Sequence, residues 1–519
     1  MLIRCLLALL IISNGLEAAK IGIFTAAFSN SQIVFNIRVA ESLAADGHDV
    51  VMIRPEYNPQ SMSLKSKNPK IREIHVKAAS AEAFKKWGEM SHREIFEGLG
   101  FSEWLDLSNS YKGLVQNACS SMLANDSFIE EIRNEKIDLA FHHHIDFCQH
   151  GIAHHVGIRK WILMYPGPTH SLILRDLGIP YFDSYMPNLL ANATTNMSFL
   201  DRVKTITGNF LFTLLGPLQV DNPTTEMMRK KFGRDFPHVA ELRKTAILAF
   251  VNNDPLLEYP YPHTQKIQFI GGLGTQTPKA LKKRFAAVAM EAKKIVLVSF
   301  GSVAVAKDMP NSWKQALLEL FRNNPDITFF WKFEEEIEVP ENVVRTNWLP
   351  QNDLLALNKT VAFITHGGYN SLGEAVQSGT PCVFVPLIAD QYRNSALAHY
   401  RGIGVQMSKK DFGFKALNSN LQLIMTDPKY LINVKKYQSL TKGRLNSPDQ
   451  ILRHWTNLSL AHDLDMSLPQ LNFFQLYNLD VYLLFFTVIF VVFFVLRTLF
   501  RWYYWSCCEM AYKEKEKIQ

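Results

Sequence analysis

Short apolar runs, each followed by a loop and then by a stretch of helical period, recur in two series along this chain. In the first half, residues 21–24 read as an apolar strand. After a polar loop the spacing predicts an amphipathic helix over 31–45, ended by Gly47. Residues 50–54, 137–141 and 161–165 read as further strands of the same sheet, separated by helical pattern. Strand and helix in alternation predict an α/β domain with a parallel sheet. A proline-rich stretch over 255–262, followed by Gly271, Gly272 and Gly274, breaks the period and reads as an interdomain linker. A second series then runs through 295–300, 327–331, 362–365 and 382–385. Two α/β halves with a cleft between them follow, and ligands are expected beyond the carboxyl ends of their strands. The expected partition is a leader at 1–19, a first half at 20–250, a linker at 251–293, a second half with returning helices at 294–478, an apolar span at 479–500 and a tail at 501–519.

The two ends speak to location. Arg4 followed by the apolar run 6–12 and the small residues Gly15, Ala18 and Ala19 has the build of a secretory signal. Residues 481–496 carry no charge, and continuing to Phe500 gives a helix long enough to cross about 30 Å of hydrocarbon. Arg497 can snorkel, Trp502, Tyr503, Tyr504 and Trp505 form an aromatic belt, and Arg501 with three further lysines makes that side cytosolic. Lys515 and Lys517 stand fifth and third from the end, similar to the retrieval signal of endoplasmic reticulum membrane proteins. The expectation is a single-pass type I protein of that membrane with its bulk in the lumen. Sequons at Asn125, Asn192, Asn196, Asn358 and Asn457 all fall on the lumenal side.

Composition narrows the class. With 519 residues, 47% hydrophobic and 20% charged, the chain is globular and holds at least two cores. A net charge of +7 without a basic block gives no reason to expect nucleic acid as a partner. Cys119, Cys148 and Cys382 are an odd, sparse set in the folded part, from which no disulfide framework is expected.

The sharpest chemistry follows the strand 362–365. There THGGYNS, residues 365–371, opens a helix whose free N–H groups, with His366 and the glycine pair at 367 and 368, suit a diphosphate. Asn370 and Glu374 are four apart and share a helix face, which puts the carboxylate one turn deeper, within reach of ribose hydroxyls. Upstream, SFGS ends a strand at Ser302 in a phosphate-suited loop, and Trp348 with Gln351 offers a ring and an amide to a base. Downstream, Pro386 leads to Asp390, Gln391, Arg393 and Asn394, where a carboxylate and an amide suit sugar hydroxyls.

In this order, FITHGGYNSLGEAVQSGTPCVFVPLIADQ over 363–391 resembles the signature of the UDP-glycosyltransferases, and within them the membrane-bound UDP-glucuronosyltransferases. Cys382 stands where an aliphatic residue is usual. ESLAADGHDV, GIPYFDSYMPNLL and FVNNDPLLEYP extend the resemblance over essentially the whole chain. The resemblance implies a GT-B fold of two facing Rossmann-like domains, with UDP-sugar in the second half and acceptor in the first. It implies inverting, metal-independent transfer with no cofactor, the UDP-sugar being a co-substrate. Carried over by position, Trp348 and Gln351 would hold uracil, Glu374 ribose, Ser302, His366, Gly368, Asn370 and Ser371 the diphosphate, and Asp390 and Gln391 the sugar. The expected reaction is the detoxifying transfer of glucuronic acid from UDP-glucuronate to small lipophilic acceptors. UDP-glucose as donor, and a weak or inactive paralogue that pairs with itself or with active relatives, are the alternatives.

The pattern fails at the family's base. The Ser-His pair expected after the first strand reads Ser31-Gln32, and glutamine takes no proton at neutral pH. The carboxylate that orients this histidine would stand at His143 or, with a slip of a few residues, at Asp146. His143 as a relocated base, its proton affinity set by Asp146, is the chemical alternative. His150 and His154, four apart, lack the further ligands zinc needs, and the Asp463-Leu464-Asp465 triplet reads as a solvated loop.

Overall fold

The computed structural model describes residues 18–25, 28–57, 63–98, 101–143, 147–189, 191–275, 277–301, 304, 308–466, 469 and 471–516. The apolar part of the expected leader, Ser302, Asp146 and Lys517 lie outside them. The chain divides into two units, Met1–Ser467 and Leu468–Gln519.

The first unit contains two parallel sheets. One holds β1 (Lys20–Phe24), β2 (Asp49–Glu56), β3 (Arg72–Lys77), β4 (Leu139–His143), β5 (Trp161–Tyr165), β6 (Ala249–Val251) and β7 (Ile267–Phe269) in the order β3-β2-β1-β4-β5-β6-β7. The other holds β8 (Lys294–Ser299), β9 (Ile327–Lys332), β10 (Val343–Thr346), β11 (Thr360–Thr365), β12 (Cys382–Phe384) and β13 (Gly404–Gln406) in the order β10-β9-β8-β11-β12-β13. Central strands such as KIGIF and TVAFIT are covered on both faces, which is why they read as continuous apolar runs rather than alternating ones. In each sheet the order of successive strands reverses once, between β1 and β4 and between β8 and β11, while all strands stay parallel. Those two switch points open the crevices where ligands enter such sheets.

One expected boundary moves. The stretch 251–293 is not only linker: β7 lies inside it and pairs with β6, Ala249 opposite Ile267, so the first sheet runs to Phe269. A three-residue strand beyond a proline-rich crossing leaves too few positions to show a period. The cysteine expectation also falls. Cys119 and Cys148 form a disulfide across 29 residues, with Cα atoms 5.4 Å apart, between the helices Phe101–Ala124 and Phe147–His155.

The halves exchange elements. Leu452, on the late helix Pro448–Ala461, is buried in the core of the first half. Ile95 and Phe96, from the end of the early helix Ala81–Phe96, are buried in the core of the second, where Phe96 meets Trp313 edge-on. Lys409 Nζ donates to the Ile95 carbonyl at 3.1 Å and to the Leu387 carbonyl at 2.9 Å, placing a cation at that helix's C-terminus.

In the second unit one helix, Leu479–Glu516, is long enough over Leu479–Met510 to cross a membrane. The tail expected as a separate segment from 501 continues this helix to Glu516.

Candidate functional site

The switch point of the second sheet gathers most of the expected donor residues. β11 ends at the buried Thr365, and the chain turns through His366, Gly367 at φ +81° and Gly368 into the helix Tyr369–Ser378. Two glycines make room for the imidazole. A Cβ on Gly301 would stand 2.7 Å from the His366 ring, and one on Gly368 would stand 2.6 Å from its Nε2. Burial, with Lys332 nearby, pushes His366 down to about 4, so it is neutral at pH 7 and offers one N–H beside the helix N-terminus.

Gln351, at the start of the short helix Gln351–Leu355, ties two expected residues of the helix Tyr369–Ser378 together. Its Nε2 donates to Glu374 Oε2 at 2.7 Å and to Ser371 Oγ at 3.3 Å. Burial raises the Glu374 carboxyl, while Gln351 and Arg38 pull it back toward the charged form. Trp348 is 74% exposed, a large ring left open to solvent ahead of Gln351. On the far side, Asn394 Nδ2 donates to Asp390 Oδ2 at 2.8 Å, and burial pushes Asp390 upward. Gln391 Oε1 accepts the Leu387 N–H at 2.9 Å and the Ile388 N–H at 3.2 Å, which fixes the loop shape.

Several residues around this site carried no role in the sequence. Asn252 Nδ2, just past β6, donates to Asn370 Oδ1 at 3.1 Å, and the Asp254 N–H donates to the Tyr369 hydroxyl at 2.9 Å. Arg393 forms a buried two-pronged pair with Glu258, at 2.7 and 3.1 Å, over the Tyr259 ring. These contacts join the halves at the helix that follows His366. Partners 115 to 135 positions apart leave no trace in a single sequence. Arg38, on the first helix of the other half, acts electrostatically on Glu374, and only the FVNNDPLLEYP likeness hinted at any of this.

At the first sheet's switch point the chemistry differs. Gln32 sits in the first turn of the helix Asn30–Ala45, and its Oε1 accepts the Ser29 N–H at 3.3 Å. The amide at the position where the resemblance places a base works as a helix cap. His143 ends β4, only 1% exposed, and burial with His150 close by pushes its imidazole down to about 3. His170, in the loop after β5, packs edge-on to Tyr165 at 4.9 Å and is likewise pushed to about 3, by burial and Arg393.

His142 faces away, stacked at 4.3 Å on both Phe24 and His150. With His150, His154 and Trp161 it lines a cavity of about 190 Å³. Among the described residues no three His, Cys, Asp or Glu side chains gather as metal ligands. Asp463 is exposed and pairs with Lys160 at 2.9 Å. Of the sequons, Asn125, Asn192, Asn196 and Asn358 are exposed. Asn125 Oδ1 caps a helix by accepting the Phe128 N–H, and Asn457 Nδ2 donates to Asp46 at 2.9 Å.

Two Rossmann-like halves with a nucleotide-type loop at the second switch point define a sugar-nucleotide glycosyltransferase. A family model described as UDP-glucoronosyl and UDP-glucosyl transferase matches residues 20–514, and the chain belongs to that family; it is a UDP-glycosyltransferase. A putative UDP-glucuronosyltransferase, ugt-48, of Caenorhabditis elegans is 30% identical over 96% of this chain and 97% of its own. Human UDP-glucuronosyltransferase 1A5 is 25% identical over 91% of this chain and 88% of its own. UDP-glucosyltransferase 2 of Dactylopius coccus is 28% identical over 91% and 92%. Among solved structures, the glycosyltransferase VinC in complex with dTDP superposes with a TM-score of 0.57, at 16% identity over 85% of this chain and all of that one. The fold is GT-B.

Proposed function

We propose that the enzyme transfers glucuronic acid from UDP-glucuronate to small lipophilic acceptors. It does so by direct inverting displacement, from a lumenal position on the endoplasmic reticulum membrane. The observation that carries the donor half of this reading is the cluster of His366, Gln351, Ser371 and Glu374. A neutral imidazole and a helix N-terminus suit the diphosphate, and Glu374, oriented by Gln351, suits ribose hydroxyls. The open Trp348 ring suits stacking on uracil, and Asp390 with Gln391 suits the sugar. The relatives named above include both glucuronosyl- and glucosyltransferases, so UDP-glucose is the second donor to test. The buried disulfide favours an oxidising compartment, and the apolar helix Leu479–Met510 suits an anchor.

In the displacement the acceptor's lone pair forms the new bond to the anomeric carbon as the bond to UDP breaks, and UDP leaves with that electron pair. An acceptor hydroxyl must also lose its proton. Gln32 supplies no base there, and an imidazole held near 3 is a weak one at neutral pH. A weakly active, UDP-sugar-binding role is therefore the second reading, favoured by the capping contact of Gln32. Calorimetric titration with UDP tests the donor assignment. Hydrogen bonds to charged groups are worth about 1.5 to 3 kcal/mol, so His366→Ala or Glu374→Ala should weaken UDP roughly ten- to hundredfold. Unchanged affinity in both variants would sink it.

A further inference from the structure

The helix Phe199–Gly216 is built inside out. The positions it buries are polar: Thr205 is fully buried with its hydroxyl on Met197 Sδ, and Asn209 is buried between Ser171 and Asp183. Of its exposed positions among the described side chains, Lys204, Thr207 and Thr213 are polar and the other seven are apolar. Phe199 is 70% and Phe210 63% exposed, and Val203, Ile206 and Leu214 complete the same stripe at spacings of three and four. Leu200 and Leu211 widen it, and Leu218 extends it past the helix end. A surface meant for water shows the opposite pattern, and a contiguous stripe of this kind marks an interaction face.

We propose that this helix lies in the interface of a lipid bilayer, its apolar stripe set into the boundary between headgroups and acyl chains. This rests on reading Leu479–Met510 as a membrane anchor. Residues 462–478 join that helix to the first unit, and 17 residues span at most about 60 Å, so the body stays within reach of the bilayer. Arg202 and Lys204 flank the stripe, as suits an interfacial helix facing anionic lipid. Inward, Asn209 is hydrogen-bonded to Ser171, next to His170, so the seated helix also braces the loop after β5.

The test uses the full chain in nanodiscs of phosphatidylcholine and phosphatidylserine. Benzoylphenylalanine replaces, one at a time, Phe210, Val491 in the anchor and Leu445, a fully exposed control, and photo-adducts are read by mass spectrometry. The expected result is lipid adducts at Phe210 and Val491, each at least about ten times those at Leu445. Phe199→Glu with Ile206→Glu should remove the Phe210 lipid adducts and leave UDP affinity unchanged, which shows that the variant is folded. Lipid adducts at Val491 with none at Phe210 would overturn the proposal and spare the anchor. Adducts at Phe210 to a second copy of the chain would assign the stripe to a dimer and overturn it too. Absence of lipid at Val491 would instead overturn the anchor reading.

Discussion

The two switch points share one topology and differ in how their side chains are used. At the second, polar side chains position one another: Gln351 donates to Glu374, Asn394 donates to Asp390, and two glycines clear space for His366. At the first, the corresponding groups are turned to the fold itself. Gln32 caps its own helix and His143 is sealed at the end of β4. Donor binding and proton removal are separable properties, and on the proposed reading the second switch point serves the first while, among the described residues, neither Gln32 nor His143 is placed to serve the second.

The largest effect should come from restoring that base. Gln32→His together with His143→Asp should raise transfer to hydroxyl acceptors by about 10² to 10⁴, the usual worth of a positioned base, and raise amine transfer less. Steady-state rates on paired acceptors check this, and an equal gain on both would erase the contrast between the halves.

The next effect concerns their joint. Arg393 and Glu258 are both buried, so Arg393→Ala strands a carboxylate and should cost about 3 to 5 kcal/mol in chemical unfolding. A loss below about 1 kcal/mol would mean that the halves are held by other contacts.

Acidification gives the smallest effect per group. His143 and His170 are held near 3 and His366 near 4, against 6.5 when unfolded. Below about pH 6.5 the unfolded chain therefore binds protons that the folded one refuses, and stability falls with pH until the folded values are passed. Each histidine contributes up to about 1.4 kcal/mol per pH unit. Glu374 and Asp390, raised by burial, work the other way at the acid end. Two of the three histidines belong to the first half, so amide exchange should rise in β4 and after β5 before it rises in β11.

How far the sequence foretold this follows from the range of each interaction. Doubly covered strands such as β5 and β8 show as apolar runs, and the loop after β11 is a contiguous motif, so both were readable. The edge strand β3 mixes charged with apolar residues, and β7 and β13 are three residues long and lack the longer apolar run that continues from the equally short β12, so none of them gave a signal. The Cys119–Cys148 bond, the Arg393–Glu258 pair and the Asn252–Asn370 contact depend on distances that only the folded chain supplies. Gln32 was read as standing where the family's base is expected, but its work as a cap was not legible, because that depends on where the helix begins.

The most direct test compares a phenol and an aromatic amine of similar shape as acceptors for the unmodified enzyme, with UDP-glucuronate and with UDP-glucose. An amine attacks through its lone pair and sheds its proton afterwards, so it needs no base in the transition state. The account predicts that amine transfer exceeds phenol transfer with the preferred donor, and that the phenol rate climbs with pH as free phenolate accumulates. Efficient phenol transfer at neutral pH that survives His143→Ala would contradict it, and would require a base other than the two groups at the first switch point.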